Sequence, residues 1–315
     1  MKFGLIGHPI EHSLSPALFR AGYDGRYPYD LIVTPDFEEA YRRFADGDYD
    51  GINVTAPFKE LALKKADIIS EECRLTGATN LLMKTPEGIA AYNSDFRGLC
   101  IWLRHISNMP STESSDKPAE AEDQKSVPVP WPQGEGPAPQ AWEGFFFDLL
   151  PLQATSTSVL IVGMGGAGKA AAAAAWANGM QLTLMNRDLS KAEEMAKSLK
   201  GMTAERKIEA RPLTDFCDCF RKADIIIYNL PVRIPELDGL TAEDFQTGNG
   251  LGPKHILEAN YRNPSFDDKL LQLMKESNPK AEYTAGQTWL LLQAVTGYEI
   301  FTGERPDLSA MAAQI

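Results

Sequence analysis

The sequence predicts two α/β domains with mostly parallel sheets. Three observations carry that expectation. Short β-branched and aromatic runs alternate with helix-period segments through the first hundred residues. The same alternation resumes near residue 155, with a glycine-rich turn behind its first strand. Between the halves lies a stretch rich in Pro, Ser, Glu and Gly that cannot bury enough apolar area to order itself. A chain of 315 residues is long enough for two cores of ordinary size.

In the first half, Lys2–Gly7, Tyr29–Thr34 and Gly51–Thr55 read as strands from their β-branched and aromatic content. Ser15–Gly22 and Phe37–Ala45 carry helical spacing. Pro16 suits the first turn of a helix that Ser15 would cap, and Asp36 would cap the second. Asn80–Thr85 and Gly88–Asn93 read as two strands joined by Pro86-Glu87-Gly88. In the second half, Ser158–Val162, Leu182–Asn186, Asp224–Tyr228 and His255–Ala259 read as strands. Ala170–Ala177 is alanine-dense and strongly helix-forming, Leu189–Leu199 is a charged helix, and Thr288–Phe301 is the last long one. The expected division is 1–105, an insertion at 106–154 that is flexible over 110–140, a unit at 155–285, and C-terminal helices at 286–315 that return to the first unit. Trp142–Leu150 is too aromatic to be left in water and is expected to pack on a domain surface.

The hydrophobic and charged fractions, 43% and 23%, are those of a soluble globular protein. A net charge of −12 argues against a nucleic-acid partner, and no apolar run is long enough to span a bilayer. Without a charged-then-apolar leader at Met1, a cytoplasmic location is expected. Cys217 and Cys219 lack a second ligand pair, and His8, His12, His105 and His255 are scattered, so no metal site is expected. The partner implied is a small molecule, bound by a monomer or homodimer.

Gly163-Met164-Gly165-Gly166-Ala167-Gly168 matches G-x-G-x-x-G between a strand and a helix. In that setting the glycines allow a tight turn, close backbone approach to a pyrophosphate, and helix-on-sheet packing. The second half is therefore expected to be a Rossmann-type, doubly wound dinucleotide-binding domain. Gly163 to Lys169 also fits the start of a P-loop, but that motif next requires Ser or Thr for magnesium and Ala170 stands there. The following strand ends Asn186-Arg187-Asp188, with Lys191 close behind. Arg187 and Lys191 favour the 2′-phosphate of NADP, while Asp188 keeps NAD open.

Four segments of the first half are dense in small polar residues: His12–Pro16, Asn53–Lys59, Gly77–Asn80 and Asn93–Gly98. Most adjoin strand ends, where ligands bind in open α/β sheets. Hydroxyls and amides there suit a polyhydroxylated ligand, and Lys59 beside Asp95 would form a pair suited to proton exchange with a carbinol or ketone.

Together these segments resemble the shikimate dehydrogenase family, which shows H-S-x-S-P, N-V-T-x-P-x-K, G-A-x-N-T and N-T-D-x-x-G, then the glycine loop, N-R-T and a late helix carrying Gln. The resemblance implies that Ser13 and Ser15 hold a substrate carboxylate with help from Tyr261, and that Thr55, Asn80, Asn93 and Gln293 bind ring hydroxyls. It implies Lys59 as general acid with Asp95 as its partner. Gly163, Gly165, Gly166, Ala167, Gly168, Asn186, Arg187 and Lys191 would hold NADP. The activity implied is NADPH-dependent reduction of 3-dehydroshikimate to shikimate. Quinate or shikimate oxidation with NAD, and a non-catalytic ligand sensor, are the alternatives. The sequence departs from the family at Phe19-Arg20, at Leu81 and Ser94, at Tyr228–Pro231 near the expected nicotinamide, and at Gln287-Thr288-Trp289.

Overall fold

Residues 1–107, 155–201, 206–246 and 253–315 are described by a computed structural model. Most of the expected insertion, including 110–140 and Trp142–Leu150, lies outside the described residues. In the first half the chain runs β1 (Phe3–Gly7), α1 (Ser15–Gly22), β2 (Tyr29–Val33), α2 (Phe37–Ala45), β3 (Gly51–Val54), α3 (Lys59–Leu63), β4 (Ile68–Ile69), α4 (Glu71–Thr76), β5 (Leu81–Thr85), β6 (Gly88–Tyr92) and α5 (Ser94–Ile106). Asp36 caps α2 by accepting the Glu38 and Glu39 amides. Ser15 does not cap α1. It is the first helical residue, Leu14 holds the cap position without a side-chain bond, and the Ser15 amide donates to Ser13 Oγ at 3.2 Å.

These strands form one sheet in the order β2-β1-β3-β5-β6-β4. It is mostly parallel, as expected, with β5 alone reversed, antiparallel to both β3 and β6. The tight β5–β6 turn forces one reversal, since a hairpin joins antiparallel neighbours.

The second half runs β7 (Ser158–Val162), α6 (Gly166–Ala177), β8 (Gln181–Met185), α7 (Leu189–Lys200), β9 (Ile208–Arg211), α8 (Phe216–Lys222), β10 (Ile225–Tyr228), β11 (His255–Glu258), α9 (Asp268–Ser277) and β12 (Glu282–Ala285). Its sheet is wholly parallel, ordered β12-β11-β10-β7-β8-β9. The strand order reverses between β10 and β7, which opens a crevice at their carboxyl ends. The glycine-rich turn after β7 sits at that crevice. The chain ends with α10 (Gly286–Thr302) and α11 (Leu308–Ala312).

Helices α5, α6 and α10 join the two α/β domains. One apolar cluster takes in Phe96, Leu99, Trp102 and Leu103 of α5, the fully buried alanines of α6, and Trp289 and Leu292 of α10. The far side of α10 packs Leu291, Ala294, Val295, Tyr298 and Phe301 onto Phe3 and Phe19 of the first unit. A Cβ on Gly98 would lie 2.8 Å from the Gln293 amide nitrogen, so α5 and α10 cross almost backbone to backbone. That crossing brings Asp95 and Gln293 to one cleft. Among the described residues, no helix is long and apolar enough to cross a membrane.

Candidate active site

A cavity of about 340 Å³ lies between the domains, lined by Ser13, Ser15, Thr55, Lys59, Asn80, Asp95 and Gln293 from one side and by Ala167, Tyr261 and Arg262 from the other. Thr55, Lys59, Asn80 and Asp95 reach it from the ends of regular elements, and Gln293 from the middle of α10. Lys59 opens α3, and the buried Phe58 before it pins that turn to the core. Asp95 is the second residue of α5, whose amides are capped by Asn93 Oδ1 accepting from Phe96 at 3.1 Å.

Lys59 Nζ donates to Asp95 Oδ2, with side-chain exposures of 16% and 13%. The pair is enclosed enough to hold its geometry and still open on the cavity side. Trp289 Nε1 donates to the Asp95 main-chain oxygen at 3.0 Å, tying α10 to the first turn of α5. A Cβ on Gly166 would lie 3.0 Å from Lys59 Cδ, so the lysine stem rests against the glycine-rich loop. Beside it, Lys169 of α6 pairs with Glu60 at 2.5 Å across the same gap.

The polar wall is a connected network. Asn80 Nδ2 donates to Ser94 Oγ at 2.9 Å and to Gln293 Oε1 at 3.4 Å, while Asn80 Oδ1 accepts the Ser94 amide at 2.8 Å. Ser13 and Ser15 hydroxyls lie 3.1 Å apart. Tyr298 donates to the Ser15 main-chain oxygen at 3.1 Å, and Tyr29 donates to Asn53 Oδ1 at 2.8 Å. Burial pushes both phenols up, which keeps them neutral donors. The buried Asn53 also donates to the Asn80 main-chain oxygen at 3.3 Å.

Asn93 is a correction to the sequence reading. It is fully buried, does not line the cavity, and donates to Thr76 Oγ1 at 3.1 Å and the Ala78 oxygen at 3.0 Å. With its oxygen capping α5, every polar group is committed, and its work is to place Asp95. Sequence reasoning missed Asn53, Tyr298 and Arg262, which do line the cavity. Asn53 stood in a quoted motif. Arg262 was signalled only by its place beside Tyr261, and Tyr298 looked like core.

The loop from Gly163 to Gly168 has the shape a pyrophosphate needs. Gly163 adopts φ +96°, and a Cβ on Gly168 would fall 1.7 Å from the Gly163 oxygen. At Gly165 an added Cβ would meet nothing within 4 Å, so the backbone is open there at the start of α6. Asn186 Oδ1 accepts the Met164 amide at 3.0 Å and fixes the loop from β8. Arg187 and Lys191 are exposed beside it, without a carboxylate within ion-pair distance among the described residues. Asp188 caps α7, and the Ser190 hydroxyl and amide hold its carboxyl below the usual range. These residues fit a dinucleotide carrying a 2′-phosphate, with Asp188 turned to the helix end. Tyr228 is fully buried in the core of this domain, its hydroxyl on the Val232 oxygen at 2.7 Å.

Two family descriptions match the chain, one in each half. "Shikimate dehydrogenase substrate binding domain" matches residues 5–82, and "Shikimate / quinate 5-dehydrogenase" matches residues 149–233. A shikimate dehydrogenase (NADP(+)) of Acinetobacter baumannii is 26% identical over 313 residues, covering 98% of this chain and 97% of the relative. Among solved structures, quinate dehydrogenase from Corynebacterium glutamicum in complex with NAD superposes with a TM-score of 0.71 at 20% identity, covering 100% of this chain and 98% of that one. Shikimate 5-dehydrogenase from Thermus thermophilus, in complex with NADP(H) and shikimate, gives 0.66 at 22% identity, covering 100% and 98%. The structural likenesses establish the fold.

Proposed function

Because the chain belongs to the shikimate dehydrogenase family, we propose that it reduces 3-dehydroshikimate to shikimate with NADPH, reversibly. The observation that carries this reading is the Lys59–Asp95 pair, facing a hydroxyl- and amide-lined cavity and touching the dinucleotide loop. We take residues 1–105 with 286–315 as the substrate-holding unit and 155–285 as the nucleotide-holding one.

In this mechanism the nicotinamide, when bound, supplies the hydride. The chain does the rest. Ser13 and Ser15 hold the substrate carboxylate at one end of the cavity, with Tyr261 assisting. Thr55, Asn80 and Gln293 orient the ring through its hydroxyls, and the Asn80–Ser94–Gln293 network keeps those donors from turning. Lys59 gives a proton to the ketone oxygen as negative charge develops there, and Asp95 holds the ammonium in place. In oxidation the same lysine takes the hydroxyl proton. Gly163, Gly165, Gly166, Ala167 and Gly168 hold the pyrophosphate, Asn186 shapes the loop, and Arg187 with Lys191 receives the 2′-phosphate.

Asp188, an acidic residue shortly after β8, favours a second reading, oxidation of quinate or shikimate with NAD. We place the enzyme in the cytoplasm as a monomer or homodimer. Its described cysteines are free, and burial pushes the Cys73 and Cys100 thiols up to about 12. The deciding experiment follows the reduced-nicotinamide absorbance with shikimate and quinate, each against NADP and NAD. Fastest turnover with shikimate and NADP is expected, and no turnover with any of the four combinations would sink the enzyme assignment.

A further inference from the structure

One cation in the cavity has no part in proton transfer. Arg262 follows Tyr261 in the segment after β11, on the nucleotide side of the cleft, yet its Nη2 donates to the main-chain oxygen of His12 on the substrate side. His12 immediately precedes Ser13, so the guanidinium stands at the serine end of the cavity. The other two charges lining the cavity, Lys59 and Asp95, balance one another. Arg262 has no carboxylate within ion-pair distance among the described residues, and it lies 5.8 Å from the centre of the Tyr261 ring. The serine end therefore carries a net positive charge in a chain whose overall charge is −12. A guanidinium has five donors in a planar fork, and one bond to His12 leaves the others for an anion.

We propose that Arg262 is a specificity-determining residue, whose guanidinium pairs with the substrate carboxylate beside Ser13 and Ser15 and selects acids over neutral ketones and polyols of the same ring. Because the arginine comes from the opposite domain, a bound carboxylate also bridges the cleft. The inference rests on the reading of the cavity as a site for a cyclic hydroxy acid.

The test compares wild type, Arg262→Gln and Arg262→Lys on shikimate and on its uncharged methyl ester. Arg262 is exposed, so neither substitution empties a core position. Loss of a charge-assisted hydrogen bond should raise KM for shikimate about tenfold or more in Arg262→Gln, with kcat within about threefold. Arg262→Lys should recover most of the loss, and KM for the ester should be the same in all three. An unmoved shikimate KM in Arg262→Gln overturns the inference. So does an equal loss on acid and ester, which would make the residue a clasp to His12 and nothing more. Wild-type enzyme that fails on shikimate overturns the functional reading itself, an outcome separate from either of these.

Discussion

Replacing Lys59 with Met keeps most of the stem that rests on Gly166 and removes only the ammonium. Two consequences follow from the geometry. Asp95, with a side chain 13% exposed, loses its cation and is left as an enclosed carboxylate. An unsatisfied charged group of that kind costs about 1–3 kcal/mol, or several degrees in Tm for a chain of this size. Its backbone stays in place, because Trp289 still holds the Asp95 oxygen and Asn93 still caps α5. The second consequence is catalytic. A positioned acid contributes roughly 10²–10⁴-fold, equivalent to about 3–5 kcal/mol at the transition state. In the proposed mechanism substrate binding rests on Ser13, Ser15, Asn80 and Gln293, which the change leaves intact, so KM should move by less than about tenfold. Steady-state kinetics in both directions, with a thermal melt as control, measure both effects. Since Lys59 and Asp95 act as one unit, Lys59→Met/Asp95→Asn should be hardly slower than Lys59→Met alone. Turnover within about fivefold of wild type, or losses that multiply in the double variant, would refute the assignment of Lys59 as the acid.

Three other outcomes are expected. Arg187→Ala/Lys191→Ala should raise KM for NADPH about tenfold or more and leave KM for NADH unchanged, since only the 2′-phosphate loses partners; equal changes with both cofactors would remove these cations from that role. Trp289→Phe keeps the packing but deletes the bond to the Asp95 oxygen, and should lower kcat severalfold with little change in substrate binding; an unaltered kcat would show that the indole only fills space. Glu299 on α10 is buried, its Oε2 without a hydrogen-bond partner among the described residues, and burial outweighs Arg305 and Arg97 to push its carboxyl up to about 7. A folded value above the unfolded one means its favourable contribution is whole below about pH 4.5 and is lost as pH rises towards 7. Glu299→Gln should thus melt a few degrees higher than wild type at pH 8 and nearly level with it at pH 5; a constant difference across that range would contradict the assignment.

Much of the fold was legible because the signals are local. The β-branched runs gave β1, β2 and β3 to within about a residue or two, and Asp36 sat where an acidic cap belongs. What was missed is short, polar or non-local. The two-residue β4, the four-residue β9 and the charged β12 offer little periodicity. Helix α5 carries its cap, Asn93, inside a segment that reads equally well as ligand-binding, which is why that asparagine was placed in the cavity. The reversed direction of β5 depends on which strand it joins. Pairing Leu81 with Asn53, across the chain between them, is a long-range choice that no local window contains. The meeting of Lys59 and Asp95 is also non-local; their place in two polar segments near strand ends suggested it, and the multi-motif resemblance strengthened it.

The departures from the family pattern do not fall evenly on the cleft. On the substrate side the polar network is whole, and Ser94 puts its hydroxyl between Asn80 and Gln293. They gather at Tyr228–Pro231 and Gln287-Thr288-Trp289, which the proposed mechanism sets near the nicotinamide. Tyr228 directs its ring into the core, where it packs edge-on to Phe266, and its hydroxyl bonds the Val232 oxygen. That bond spans the turn of Asn229 and Leu230 from the core side. Trp289 approaches from above with a bond to Asp95 that a smaller aliphatic side chain has no atom to make. Leu230 lies against the loop, its Cδ2 3.0 Å from where a Cβ on Gly163 would sit. Leu230 thus crowds the glycine-rich turn and Trp289 braces Asp95, while the Lys59–Asp95 pair stays in place. In the proposed mechanism these segments face the nicotinamide and not the acid–base pair, so kinetic constants for the cofactor, rather than for the hydroxy acid, are expected to set this chain apart from its relatives.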